Sequence, residues 1–209
     1  MIQVYFHFSY NGDVWNQSPS KTHRKHAYAR IANYLEQPFI VGGSDNGNTI
    51  TERLSSLGIW EQENKWPFSN RIFNYATVSR KLNDPSSDYV LIIGGQTGEE
   101  GEQAQSDRIA KFAAGLTKWT IVGHLQQPRH SHSVIQNAKN QILVVGGDDL
   151  RYSEQPKFIS KKIFRDTEQL FLDDDGYKYQ SYLGSPRLYN FRLWPLLIHV
   201  NDLGYCWFP

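Results

Sequence analysis

Sulfur is nearly absent from this 209-residue chain: it has one cysteine, Cys206, and one methionine. A lone thiol excludes an internal disulfide framework and a cysteine-built zinc knuckle. Charge of one sign is missing too, since 22 Lys and Arg stand against 21 Asp and Glu, a net charge of +1. That balance offers no electrostatic grip on nucleic acid or an anionic membrane. No apolar run approaches the roughly 20 residues that a spanning helix requires, so no membrane insertion is expected. The opening residues, MIQVYFHFSYNGDVW, have no basic stretch and no long apolar one. They predict no secretory signal and favour a cytoplasmic location. Aromatic side chains, by contrast, are plentiful at 14% of the chain, enough to build a core and exclude wholesale disorder.

The chain repeats itself. Three Gly-Gly doublets each close an aliphatic or aromatic run: PFIVGG at Gly42-Gly43, YVLIIGG at Gly94-Gly95 and QILVVGG at Gly146-Gly147. Their first glycines are evenly spaced at 52 residues. Between doublets lie an aromatic, a short polar turn and a second aromatic, as in Phe8 to Trp15, Trp60 to Trp66, and Phe112 to Trp119. A basic residue follows each second aromatic: Arg24, Arg71, Arg129 and Arg187. Each unit therefore reads as four short strands, a to d, bounded by turn chemistry. In the unit after Trp66 the expected strands are Ile72–Arg80, Asp88–Ile93, Asp107–Phe112 and Lys118–Val122. Glycine at the end of strand b permits positive φ and close approach of a neighbouring backbone. Trp15, Trp66 and Trp119 are large enough to fill the wedge between one sheet and the next. A single four-stranded sheet cannot bury both faces, so the units must stack.

A strand ending in Gly-Gly, then an aromatic, then Trp, then Pro-Arg, at this period, resembles the kelch repeat of β-propellers. The resemblance covers nearly the whole chain and implies an all-β, kelch-like propeller or partial propeller of about four four-stranded blades. It departs from the pattern where the fourth unit lacks a clean Trp and where the end reads GYCWFP. The whole chain, 1–209, is expected to be one propeller domain or arc. Its repeat units fall near 1–20, 21–70, 71–124, 125–184 and 185–209. A composite blade joining strands from the two ends would close a ring, whereas an arc would leave edges open to self-association.

Meander geometry puts the b–c loops and the d–a loops on one face. The b–c loops, about Ser44–Thr51, Gln96–Ser106 and Asp148–Thr167, differ in length far more than the strands do. Variable loops on a rigid scaffold are where binding usually sits. The candidate binding residues are Asp45, Arg71, Arg129, Asp148, Arg151 and Tyr152. The repeating arginines are expected to pair with carboxylates or carbonyls of adjacent loops, Asp45, Asp107, Asp148 and Asp149 being the nearest in sequence. His26 aligns with His130, each sixteen residues before a doublet. His130-Ser131-His132 has a spacing that a metal could use, but no nearby Asp, Glu or Cys completes a ligand set, and no metal is expected. SDNGNTITE at Ser44–Glu52 departs from the calcium-loop pattern, and GGQTGEEGEQ at Gly94–Gln103 lacks the Gly-Lys-Ser/Thr of a phosphate loop. The expected function is a non-enzymatic platform whose loops bind another protein, with no cofactor. The alternatives are a truncated fragment of a larger kelch protein, or a galactose-oxidase-like or carbohydrate-active propeller enzyme. The resemblance would then require a Tyr–Cys cross-link, for which Tyr205 beside Cys206 is a poor candidate because neighbours on a strand face opposite ways.

Overall fold

The computed structural model describes residues 8–10, 15–17, 20–43, 49–63, 66, 71–80, 88–98, 104–113, 119–136, 141–149, 166–172, 178–184, 196–200 and 204–208. All of its regular structure is β. Following the short hairpin β1 (Phe8–Tyr10) and β2 (Trp15–Gln17), a four-stranded antiparallel meander runs through β3 (Ile31–Tyr34), β4 (Gln37–Val41), β5 (Thr51–Leu54) and β6 (Trp60–Gln62). A second meander comprises β8 (Ala76–Arg80), β9 (Tyr89–Ile93), β12 (Arg108–Ala113) and β13 (Thr120–His124). A third comprises β14 (Ser133–Gln136), β15 (Ile142–Val145), β16 (Thr167–Leu172) and β17 (Tyr179–Gly184). Short strands β7 (Ile72–Phe73), β10 (Gln96–Thr97) and β11 (Ala104–Gln105) form a small accessory sheet beside the second meander. The hairpin of β18 (Leu196–Val200) and β19 (Gly204–Phe208) ends the described chain.

The strands expected in the second unit are present to within a residue or two, with one interruption. The run Ile72–Arg80 is broken into β7 and β8 at Asn74, whose φ is 52° and whose amide donates to the Tyr28 carbonyl (2.8 Å). Two larger departures concern how the sheets join. The second and third meanders are not separate: β13 and β17 meet in parallel at the single pair Gly123 and Tyr179, making an eight-stranded sheet. A Cβ at Gly123 would lie 2.5 Å from the Tyr179 carbonyl oxygen, so the junction depends on the missing side chain. The first strands of that sheet's two halves, β8 and β14, also lie side by side, which nearly closes it into a barrel-like form. The two terminal hairpins are separate two-stranded sheets. Among the described strands no ladder joins them into the composite unit expected from the sequence.

The first strands pack in chain order, β3 beside β8, β8 beside β14, and β14 beside β18. Strand β9 shows why its sequence is an unbroken apolar run. Val90 and Ile92 enter one core with Tyr34, Phe39, Phe112 and Trp119, while Tyr89, Leu91 and Ile93 enter another with Ile109, Ile142 and Leu170. A strand covered on both faces needs apolar residues at every position rather than every second one. Trp66 and Trp119 fill the wedge between the first two meanders, edge to face with ring centres 5.0 Å apart, and Phe112 lies 5.2 Å from Trp119. Truncating either tryptophan to alanine would cost about 3–5 kcal/mol by the behaviour of buried aromatics. Trp15 lies in β2, and its side chain is outside the described ones.

Candidate functional site

The doublets organise the face that carries the b–c loops. All six of their glycines have positive φ, from 61° to 133°. At Gly94 (φ 61°) a Cβ would sit 2.6 Å from the Arg129 carbonyl oxygen, and at Gly95 (φ 100°) it would sit 2.8 Å from Tyr75 Cβ. Each of the first two doublets is thus pinched between its own unit and the next, and Gly95 donates its amide to the Arg129 carbonyl (2.9 Å) as Gly43 does to that of Ile72 (2.8 Å). A second seam runs beside this one. Tyr28, Asn74 and Ser131, with φ of 59°, 52° and 54°, occupy matching positions just before β3, β8 and β14. The amide of Ser131 donates to Asn74 (2.9 Å) and that of Asn74 to Tyr28 (2.8 Å), so unit is tied to unit by backbone alone. Left-handed non-glycine residues are uncommon, and their recurrence at one place shows a scaffold constraint.

Three side chains from the segments that precede the first strands close the necks of the b–c loops. In the third unit Arg129, fully buried, donates through Nη1 to the carbonyls of Gly146 (3.0 Å) and Asp166 (3.3 Å), and through Nη2 to Glu168 Oε1 (2.6 Å). It therefore fastens both ends of the longest loop. Burial pulls the Arg129 guanidinium below its ordinary range, and the Glu168 carboxylate acts against that pull. Glu168 is itself fully buried and also accepts from Ser181 Oγ (2.5 Å) and the Gln126 amide (2.8 Å). In the first unit His26 does the same work: Nδ1 faces the Gly42 carbonyl oxygen (2.5 Å) and Nε2 faces Glu52 (2.8 Å). Glu52, again fully buried, accepts as well from the amides of His23 (2.7 Å) and Arg24 (3.0 Å). Burial would raise its pKa, yet bonds from His26, His23 and Arg24 outweigh that and hold it below the usual carboxylate range. In the second unit Arg71, buried over the ring of Phe73, donates Nε to the Gly98 carbonyl (2.9 Å).

The sequence expectations meet these positions unevenly. Arg71 and Arg129 do bond carbonyls at the loop bases, and Arg129 also pairs with Glu168, a carboxylate outside the four nearest in sequence. Asp148 lies 2.5 Å from His130 Nε2, a close polar contact without the alignment of a hydrogen bond. The backbones of the same two residues exchange both hydrogen bonds (3.1 and 3.0 Å). Asp107 pairs with His124 at 3.1 Å. His26, aligned by spacing with His130, occupies the role of Arg129. Asp45, Arg151 and Tyr152 lie outside the described residues. Glu52 and Glu168 were not singled out from the sequence, although a repeated Thr-Glu pair, Thr51-Glu52 and Thr167-Glu168, marks both. His132 is fully buried, and burial, followed by the charges of Arg129 and His130, pushes its pKa well below the ordinary imidazole value. Among the described residues no group of three or more His, Cys, Asp or Glu side chains is arranged to hold a metal ion.

No protein-family model and no curated protein sequence matches the chain. A solved structure described as "Structure of YjhT" superposes with a TM-score of 0.67, covering 94% of this chain and 70% of that one at 12% sequence identity, a likeness of fold alone.

Proposed function

We propose that the chain is a kelch-like β-propeller arc of about four units that serves as a non-enzymatic interaction platform, binding another protein through its b–c and d–a loops. The observation that carries this reading is the contrast between necks and loops. Buried polar clamps from His26, Arg71 and Arg129 fix where each b–c loop leaves the sheets. The loops they close differ widely in length, from Ser44–Thr51 to Asp148–Thr167. A scaffold that spends buried charge on holding loop bases still, while the loops diverge, suits recognition by a rigid base and variable tips. The succession of first strands, β3, β8, β14 and β18, each beside the next, supports the propeller reading over a simple barrel. Within it Arg71, Arg129 and Asp148 position the loops, and Asp45, Arg151 and Tyr152 are the proposed contact residues. The test compares proximity labelling and affinity capture by three proteins: the native chain, an Arg151→Ala/Tyr152→Ala variant, and a chain with residues 150–165 replaced by a Gly-Ser linker. A partner captured by the native chain and lost from both variants at unchanged melting temperature is the expected result. Equal capture by all three removes the long loop from the proposal.

A further inference from the structure

The joint between the second and third meanders holds a histidine whose ring nitrogens bond nothing. His132 stands between the left-handed Ser131 and the start of β14, and it is fully buried. A Cβ added at Gly94 would lie 2.7 Å from its Cε1, and one at Gly147 would lie 2.9 Å from its Cβ, so the residue is lodged between two doublets. The backbone bonds that tie the two units run beside it. Ser131, the residue before it, donates to Asn74 (2.9 Å), and Gly95, the residue after Gly94, donates to Arg129 (2.9 Å). Among the described residues no hydrogen bond reaches either ring nitrogen.

That arrangement has a cost. A neutral imidazole carries one donor and one acceptor, and burying both unmatched is unfavourable. An apolar side chain would avoid the penalty. What an imidazole adds is a proton that can be taken up near neutral pH, and each charged group facing the ring bears on that step. Burial is the largest influence holding it neutral, followed by Arg129 and His130 on its own segment, with Arg30 of the first unit adding to them. Against these the second unit offers the Ile93 carbonyl, which faces the ring without the alignment of a hydrogen bond. The carboxylates of this joint are already engaged, Asp148 beside His130 (2.5 Å) and Glu168 on Arg129 (2.6 Å).

We propose that His132 is an acid-sensitive latch: on taking up a proton it opens the joint between the second and third units and loosens the neck of the third b–c loop. A protonated ring is disfavoured in a dry slot beside the Arg129 guanidinium, and it reaches water when the doublets of Gly94 and Gly147 part. Arg129 lies on the same short segment and bonds the carbonyls of Gly146 and Asp166 at the base of that loop. Movement of the segment therefore reaches the loop base directly. Once exposed, the ring regains its ordinary affinity for a proton, near pH 6.5. Opening gains nothing above that pH and is favoured about tenfold more for each unit below it, until the folded ring can itself titrate. The latch acts at the base of the loop and does not depend on what the loop binds.

Native-state hydrogen exchange tests it, followed by NMR on the full chain at about pH 7.5 and about pH 5.5 and corrected for the intrinsic pH dependence of exchange. In the native chain, protection of the Gly95 and Ser131 amides falls about tenfold between the two conditions. In His132→Leu, which has no proton to take up, it falls by less than about twofold. The amide of Gly43, which bonds Ile72 across the first joint (2.8 Å), is the control and loses no protection in either protein. If His132→Leu does not fold, His132→Gln takes its place, since it too cannot titrate in this range. The imidazole resonances of the native chain give a separate readout, with His132 staying neutral at the lower pH while folded. The proposal is overturned if Gly95 and Ser131 keep their protection in the native chain, or if the variant loses as much as the native chain does. An equal loss at Gly43, which would make the effect global unfolding, or a folded His132 that titrates at its ordinary value, overturns it as well.

Discussion

The necks of the first and third b–c loops solve one problem with different side chains. In both, a fully buried glutamate sits one residue into the third strand of the meander, and in both a cationic or cation-capable group joins it to the carbonyl of the doublet's first glycine. The third unit uses Arg129 and the first uses His26. The reach of the two side chains accounts for their placement: Arg129 lies seventeen residues before its glycine and His26 sixteen before its own. The second unit has neither. By ladder register Ala110 takes the place of the glutamate, and it is buried in the aromatic core between the first two meanders. What all three retain is a donor from the preceding segment closing the loop, so the conserved element of the repeat is a geometry, and the charge is one way of meeting it.

The comparison breaks most sharply at Arg129. Removing a guanidinium that is fully buried leaves the equally buried Glu168 without its partner. Arg129→Met is expected to cost about 3–5 kcal/mol in urea denaturation, the usual penalty for half of a buried ion pair. The double variant Arg129→Met/Glu168→Leu is expected to recover much of this, because two apolar groups need no counter-charge. A double variant as unstable as the single one would show that the carbonyls of Gly146 and Asp166, rather than Glu168, are what Arg129 chiefly serves.

Glu52 gives the next effect, in size and in kind. Its carboxyl is held below the ordinary range, so it takes up protons less readily when folded than when unfolded. The stability this contributes is present above the unfolded carboxylate pKa and is lost as pH falls through the lower, folded value. Glu52→Gln should therefore cost about 1–2 kcal/mol at neutral pH, the worth of hydrogen bonds to a charged group, and should flatten the acid limb of a melting-temperature curve between about pH 5 and 2. An unchanged acid limb would assign the acid sensitivity of the chain to other carboxylates.

Much of this was legible before any coordinates. The doublets, with their spacing of 52, gave the unit, and the turn residues gave four strands in each. Apolar runs such as YVLII, each closed by a doublet, marked strand b. What the sequence could not show was pairing between units. Nothing in the letters around Gly123 marks it as the point where two meanders fuse, since the reason lies in the backbone of Tyr179, far along the chain. The clamps were half visible. Arginines recurring with the repeat pointed to loop bases, but Glu168, the carboxylate that Arg129 meets at 2.6 Å, stands on the strand returning from the loop and is not among those nearest in sequence. The His26 role was hidden by alignment on spacing, which set it against His130, each sixteen residues before its doublet, where the fold matches donor to donor.

The smallest effect sharpens the role of burial. One residue beyond Glu52 on β5, Arg53 faces the other way and meets Glu63 at 2.6 Å, the same separation as Arg129 and Glu168. The distance is equal, but the exposure is not: 24% and 23% of these two side chains are accessible, against none of the buried pair. Water around Arg53 and Glu63 competes for both charges and screens what remains, so no desolvated partner is stranded when one is removed. Arg53 also reaches Glu61 (3.5 Å) and donates to Gln37 Oε1 (2.5 Å), which spreads its contribution over weak contacts. Arg53→Gln should cost no more than about 1 kcal/mol, shrinking further in 1 M salt, whereas the penalty for Arg129→Met should be nearly independent of salt. If the two variants proved equally costly, separation alone would set the strength of these pairs, and the contrast drawn here between buried neck and open strand would be lost.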